Sequence, residues 1–118
     1  MSTLNVANVT DGTTSVPTGY VVNGSAKAWI QFNGINTVAI SDSFNFSSVT
    51  DNAVGWYLPQ FTNNMGSGVY GIQSHDHSYG NGWTESNSTT GYSMRRRNET
   101  GSYIDSSKIW SLVHGDLA

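Results

Sequence analysis

Two histidines separated by one residue are the first side chains in this 118-residue sequence that could do chemistry. His75 and His77 flank Asp76, and residues two apart on an extended strand face the same side. Both imidazoles could therefore reach one metal ion, but a structural metal site usually has four ligands and one chain offers two. The spacing predicts a metal site only if several chains complete it; the alternative is a pair of solvated histidines in a loop.

A basic triplet, Arg95-Arg96-Arg97, stands out in a chain whose net charge is −3. On a strand, Arg95 and Arg97 would share one face and Arg96 would occupy the other. Guanidinium groups bind oxyanions, so the triplet indicates a surface for an acidic partner, either another protein subunit or a glycan with carboxylates or sulfates. The alternative is an exposed turn in which the arginines pair with Glu99 or Asp105.

Three aromatic residues near the triplet, Tyr79, Trp83 and Tyr92, form a third candidate site. Residues 78–90 are rich in Gly, Asn and Ser, which predicts a long exposed loop, and long loops often carry function. Aromatic rings stack on the apolar faces of pyranoses, so these residues suit sugar binding beside the arginines. The alternative is that Trp83 fills a small core or a subunit interface.

Catalytic patterns are missing from the sequence. The eight acidic residues are scattered, so spacing assigns no acid–base pair of carboxylates. The chain has neither a Gly-x-Ser-x-Gly elbow nor a Gly-rich phosphate loop that opens a helix. We therefore expect no enzyme, no catalytic residue and no cofactor, apart from the metal ion considered above.

Composition limits the elements that can position these side chains. Ser, Thr, Asn and Gly make up 54 of the 118 residues, and only 11% are charged, against about 25% in an average domain. This composition excludes a helical bundle, and the negative charge argues against a nucleic-acid partner. Apolar runs are too short to span a membrane, and the first residues lack the pattern of a signal peptide. The absence of cysteine excludes a disulfide scaffold.

Alternating apolar residues predict an all-β fold. The clearest case is residues 26–33, where Ala26, Ala28, Ile30 and Phe32 recur with period two. Turn signals follow at roughly ten-residue spacing, and no window has a helical period, so we expect no helix. The pattern favours an antiparallel β-sandwich of the jelly-roll type over residues 25–118.

Residues 1–24 have too few apolar side chains to form a core of their own, and turn-forming residues dominate the stretch from Thr10 to Gly19. We expect an extended N-terminal arm that packs on a neighbouring subunit. Leu4, Val6 and Val9 would anchor it, by adding a strand to an exposed sheet edge.

A run of sequence in the first half is similar to known proteins. The strings AKAWIQFNG at 26–34, TVAI at 37–40 and SFNFSSVTDN at 43–52 resemble a segment that recurs in bacteriophage virion proteins, most familiar in the tail fibres of phages of marine bacteria. The opening MSTLNV also looks like the start of short phage structural proteins, whereas the chain departs from the pattern after residue 54. We assign the apolar core of the motif to Trp29, Phe32, Val38, Ile40, Phe44 and Phe46, with Trp29 either in the core or at an interface.

The resemblance implies a non-enzymatic structural protein of the phage particle, most readily a small tail-fibre or tail accessory subunit that assembles as a homotrimer. Its partners would be copies of itself and other phage structural proteins. A metal ion at His75 and His77 would then lie on the threefold axis, as at some fibre tips. The alternatives are a head decoration or cement protein, a receptor-recognition module that binds host glycans, and a cellular carbohydrate-binding module.

Overall fold

The computed structural model describes residues 1–77 and 81–118. The described residues form ten strands and one helix. In chain order these are β1 (Asn8–Thr10), β2 (Ser15–Pro17), α1 (Thr18–Gly24), β3 (Ala28–Asn33), β4 (Ala39–Phe44), β5 (Phe46–Ala53), β6 (Trp56–Phe61), β7 (Gly71–Asp76), β8 (Asn81–Asn87), β9 (Tyr92–Arg97) and β10 (Ile109–His114).

Eight of the strands build an antiparallel β-sandwich, which confirms the predicted fold class. The first sheet has the order β4-β3-β10-β7, and the second has the order β5-β6-β9-β8. Hairpins supply the pairs β3–β4, β5–β6 and β8–β9. The pairing of β3 with β10 joins the first and last strands of the sandwich. Edge strands are therefore β4 and β7 in the first sheet and β5 and β8 in the second.

The core lies between the two sheets and follows the alternation read from the sequence. Ala28, Ile30 and Phe32 of β3 are buried, as are every second residue of β6 and β10. The edge of one ring meets the face of another between Phe32 and Tyr57, whose centroids lie 5.3 Å apart. Such aromatic contacts add to the area that each ring buries. The remaining buried apolar residues are Phe46, Phe61, Met65, Tyr92, Met94, Ile109 and Val113.

The chain crosses from the first sheet to the second at Asn45, between β4 and β5. Asn45 has a φ of 61°, a conformation that asparagine tolerates better than most residues. Its side-chain amide donates to the carbonyls of Lys27 and Asn63, and its Oδ1 accepts from the Asn63 backbone N–H. Asn45, in the SFNFSS string, therefore holds the chain by hydrogen bonds where it passes from one sheet to the other.

The motif residues divide between the core and the surface, so the core assignment is wrong for Ile40 and Phe44, and for Trp29 only the interface alternative stays open. Phe32 and Phe46 are buried and Val38 packs against the core, whereas Trp29 and Phe44 are 38% and 55% exposed. Trp29 and Phe44 are cross-strand partners that point outward from the first sheet. Ile40 is exposed because it lies on the edge strand β4, beside a shift in register.

Two further expectations are corrected. Residues 81–87 form strand β8 instead of a loop, because their backbone pairs with β9 as an antiparallel hairpin. Residues 78–80 lie outside the described residues. A short helix, α1, is present where none was expected; it follows Pro17, a residue whose fixed φ suits the start of a helix.

The N-terminal arm, residues 1–24, contains the β1–β2 hairpin and α1. The hairpin pairs Val9 with Val16, and the Asp11 carboxylate accepts from the N–H groups of Thr13 and Thr14 in the turn. All of residues 1–24 are described, and none is buried. The arm contributes to an elongated molecule with principal extents of 51 × 28 × 24 Å.

Candidate functional site

The three arginines of β9 point alternately to the two faces of the second sheet. Arg95 and Arg97 lie on the outer face and are partly exposed, whereas Arg96 faces the interior and is buried. This is the arrangement that strand geometry predicts. The turn in which arginines pair with Glu99 or Asp105 is not what forms, since β9 is a strand within the sheet.

Arg95 is held between aromatic rings. Its guanidinium carbon lies 3.7 Å from the centroid of the Trp56 ring and 5.2 Å from that of Tyr103. Trp56 of β6 and Trp83 of β8 are the cross-strand neighbours of Arg95 on either side. The Arg95 Nε donates to Glu85 Oε2 over 2.9 Å, which makes an ion pair at the surface.

Arg97 is stacked in the same way but has no carboxylate partner in the described part of the chain. Its guanidinium carbon lies 4.6 Å from the centroid of Tyr103 and 4.8 Å from that of Trp83. Its Nη2 donates to the Tyr103 hydroxyl over 2.8 Å. Because Arg95 is neutralised by Glu85 and Arg97 is not, this surface carries one excess positive charge.

Together these side chains form a continuous surface, which we call the cation–aromatic ladder: Trp56, Arg95, Tyr103, Arg97 and Trp83. Tyr103 is its central member, because both guanidinium carbons lie within 5.2 Å of its ring centroid. Contacts of this kind contribute about 0.5–1 kcal/mol each at exposed sites. The ladder therefore fixes two cations on a sheet face, where long side chains would otherwise move freely.

Sequence reasoning missed Tyr103, although a readable signal was present. A tight turn at residues 98–102 returns the chain to β9, where Tyr103 pairs with Arg97. In that turn, Asn98 Oδ1 accepts from the N–H groups of Thr100 and Ser102, and Gly101 has a φ of 86°. An Asn and a Gly three residues apart are typical of such turns. The signal could therefore have placed Tyr103 beside the arginines.

Arg96 belongs to the interior and not to a partner surface, which corrects the expectation for this residue. Its Nε donates to Asp76 Oδ2 over 2.8 Å, and its Nη2 forms an ion pair with the same oxygen. Both side chains are 1% exposed, so the pair links β9 of the second sheet to β7 of the first. A Cβ on Gly82 would lie 1.8 Å from Arg96 Nη1, so only glycine leaves room for this guanidinium.

Tyr92 is likewise a core residue and does not line a receptor surface. Its ring packs against Phe46 and Phe61, and its hydroxyl bonds to that of Ser111. Burial raises the pKa of Tyr92 above its ordinary value. Tyr79, the third aromatic residue of the predicted sugar site, lies outside the described residues. Of that trio, the structure brings only Trp83 to the arginines.

The histidines lie on and beside β7. The ring of His75 is 5.1 Å from that of its cross-strand neighbour Trp110, on the outer face of the first sheet. His77 follows the end of β7 and is exposed, and its backbone N–H donates to the carbonyl of Lys108. Across residues 1–77 and 81–118, no three His, Cys, Asp or Glu side chains cluster around a common point. A metal site completed by several chains stays a prediction.

The outer face of the first sheet carries an apolar row, formed by Phe44, Trp29 and Leu112 on three adjacent strands. Trp29 is the cross-strand partner of both others. All three are more than a third exposed. The row ends at Phe44 on β4, which is an edge strand of its sheet among the residues that the structure describes.

The predicted anchors of the arm are exposed as well. Leu4 is 83% exposed, and Val6 and Val9 are exposed to a lesser degree. Five more large apolar side chains of the arm are also exposed: Met1, Val16, Tyr20, Val21 and Val22. The arm therefore presents apolar surface that its own chain does not cover.

Comparison of the sequence with protein-family models, and with curated proteins, gives no match, and comparison of the structure with solved structures gives none either. Within the described residues, no helix is both long enough and apolar enough to cross a membrane.

Proposed function

We propose that this protein is a non-enzymatic structural subunit of a phage particle, which assembles with copies of itself through its N-terminal arm. The single observation that carries the proposal is the arm: 24 residues with no buried side chain and eight exposed large apolar ones. Exposed apolar surface of this kind is typical of a segment that packs on a partner.

The proposed docking site is the edge strand β4 of a neighbouring copy. Leu4 and Val6 are two residues apart, so in an extended strand they share one face. Added beside β4, that strand would continue the apolar row from Phe44 and would satisfy the free edge of the sheet. The arm is suited to this because Asp11 is its only charged side chain.

The assignment to a phage particle rests on the resemblance of residues 26–52 to phage tail-fibre segments. Within that segment, Asn45 fastens the corner between the sheets and Phe44 ends the apolar row. We propose a homotrimer as the assembled form and a tail-fibre or tail accessory subunit as its role. Other phage structural proteins would be its remaining partners.

The test is the mass of the assembled protein in solution. We expect sedimentation velocity on the intact chain to give three times the 12.7 kDa of one chain. A variant with Leu4→Ser, Val6→Ser and Val9→Ser should sediment as a single chain, because it loses the apolar anchors. A trimer that persists in this variant would show that the arm is not the assembly element.

A matched control removes exposed apolar side chains from elsewhere in the molecule. Val54 and Val69 are exposed on the sandwich, and neither belongs to the arm or to the apolar row. The Val54→Ser, Val69→Ser variant should remain trimeric. If it also dissociates, general loss of apolar surface explains the result.

A head decoration or cement protein is the second candidate, since such proteins also assemble on neighbours. Quantitative mass spectrometry of purified particles separates the two roles. Hundreds of copies per particle would indicate decoration of the head, whereas a few to a few dozen would support a place in the tail.

A further inference from the structure

We infer that the cation–aromatic ladder binds an acidic saccharide, a pyranose chain that carries carboxylate or sulfate groups. The ladder lies within one chain, so this inference stands independently of self-assembly. It rests on the stacking of Arg95 and Arg97, the uncompensated charge of Arg97 and the partial exposure of the rings that hold them.

Contact with aromatic rings leaves the terminal nitrogens of a guanidinium available to a ligand, because the rings lie against its faces and the N–H groups lie in its plane. At Arg97, Nη2 donates to the Tyr103 hydroxyl, and Nε is buried without a hydrogen-bond partner among the described residues. A ligand would therefore bind the terminal Nη groups of Arg97. The rings hold the cation in one position, so less side-chain freedom is lost when an anion binds.

Charge selects an acidic ligand over a neutral one. Arg95 already has Glu85 as its partner, at 2.9 Å, whereas the described part of the chain offers Arg97 no carboxylate. A carboxylate or sulfate of the ligand would complete that pair with charge-assisted hydrogen bonds. These bonds are about twice as strong as those between neutral groups.

The rings beside the arginines provide the surface for the sugar itself. Tyr103 is 40% exposed and Trp83 is partly exposed. Their centroids lie 6.4 Å apart and their planes are inclined at 37°, so the two rings do not cover each other face to face. The apolar face of a pyranose fits an exposed ring of this kind, with its acidic group beside Arg97.

A single-stranded nucleic acid would also use rings and arginines, but the charge of the protein argues against it. Nucleic-acid surfaces neutralise many phosphates and belong to basic domains. This chain has a net charge of −3, and the ladder has one excess positive charge. One carboxylate or sulfate of a saccharide, bound beside Arg97, matches this single excess charge better than a run of phosphates.

The test is calorimetric titration of the full chain with three oligosaccharides of equal length: a galacturonate oligomer, a sulfated dextran and a neutral dextran. We expect at least one acidic oligomer to bind more tightly than the neutral one, and more weakly as salt is added. Arg97→Gln should weaken that binding about tenfold or more, because it removes the charged hydrogen bonds. Trp83→Ala should weaken it by removing the stacking surface.

Lys108→Gln is the matched control, since it removes an equal charge from an exposed residue that the ladder does not contact. The affinity of this variant for the acidic oligomer should stay within about twofold of that of the native protein, because only a screened attraction is lost. Should Arg97→Gln fail to fold, Arg97→Lys keeps the charge but loses the planar fork, and should still weaken binding.

Four outcomes would overturn the inference: no binding of either acidic oligomer at millimolar concentration, equal affinity for the neutral one, equal loss in the Lys108 control, or tighter binding of a single-stranded DNA oligomer of the same length. A ladder that binds nothing while Arg97→Gln lowers the unfolding temperature would have a structural role only.

Discussion

The N-terminal arm and the sandwich are both rich in Ser, Thr, Asn and Gly, but they differ in what covers their apolar side chains. In the sandwich, alternate residues of β3, β6 and β10 meet in a common core. In the arm, residues 1–24, every large apolar side chain is exposed. Similar composition therefore yields a domain with its own core where two sheets face each other, and a segment with exposed apolar side chains where one hairpin and one seven-residue helix form.

Because of this difference, we expect substitutions in the arm and in the sandwich to change different properties of the protein. Substitutions in the sandwich should alter the free energy of unfolding, whereas substitutions in the arm should alter assembly. An isolated two-stranded hairpin is only marginally stable in water. The arm therefore contributes little to the stability of one chain, and its sequence is free to serve contacts between chains.

The largest expected effect comes from Asp76→Asn, which removes the charge that faces Arg96 inside the sandwich. Breaking a buried ion pair on one side leaves an uncompensated charge, at a cost of about 3–5 kcal/mol in the free energy of unfolding. The double variant Asp76→Leu, Arg96→Met removes both charges and should lose much less. Urea denaturation measures each value. Equal losses in both variants would mean that the pair itself stabilises the domain.

A smaller effect is expected from Tyr57→Phe, also in the sandwich. The Tyr57 hydroxyl lies 3.0 Å from the Gly34 carbonyl and 2.8 Å from Asp105 Oδ1, and its loss should cost about 1–3 kcal/mol. Burial, followed by the Asp105 carboxylate, raises the pKa of Tyr57 above its ordinary value. The contribution of the Tyr57 hydroxyl to the free energy of unfolding is thus fully present below a pH of about 10, the ordinary pKa of tyrosine. This contribution is lost as the pH rises further.

The pH dependence of unfolding checks this account of Tyr57. In the native protein, the unfolding free energy should fall above a pH of about 10, and Tyr57→Phe should flatten part of that fall. Tyr92 and Tyr70, whose pKa values burial also raises, should account for the remainder. An alkaline profile unchanged by Tyr57→Phe would contradict the account.

The smallest expected effect concerns the arm. The N–H groups of Thr14 and Thr13 lower the pKa of the Asp11 carboxyl below its ordinary value. The ionised Asp11 carboxylate therefore stabilises the turn at any pH above its ordinary pKa. This stabilisation is lost as the pH falls through the lowered pKa. Asp11→Ala should abolish the pH dependence of the hairpin resonances in NMR spectra and leave the unfolding of the sandwich unchanged. A shift in the unfolding transition would show that the arm stabilises the sandwich.

The strands of the sandwich could be predicted because their alternation has a simple physical cause. Ala28, Ile30 and Phe32 recur with period two and are buried together. The face that Trp29 and Phe44 occupy could not be assigned, because an apolar residue in a strand fits a core or an interface equally well. Arg96 was assigned to the surface because charged residues are usually exposed. Its burial depends on Asp76, twenty residues away, and on the space that Gly82 leaves, and neither can be read from the local sequence.

The candidate site shows the same limit. Sequence reasoning found Arg95, Arg97 and Trp83, whose types alone indicate binding chemistry. It placed Tyr92 with them, although period two along β9 sets Tyr92 and Arg95 on opposite faces of the sheet. It missed Trp56 and Tyr103 because strand pairing and a tight turn bring them to the arginines.

Hydrogen exchange of the arm tests the central claim, assembly through residues 1–24, most directly. Residues 2–7 lie in no helix or strand of the single chain, so their amides should exchange rapidly in dilute solution. At concentrations where sedimentation shows the trimer, we expect the amides of residues 2–7 and of the edge strand β4 to become protected together. Rapid exchange of residues 2–7 in the assembled protein would contradict the claim.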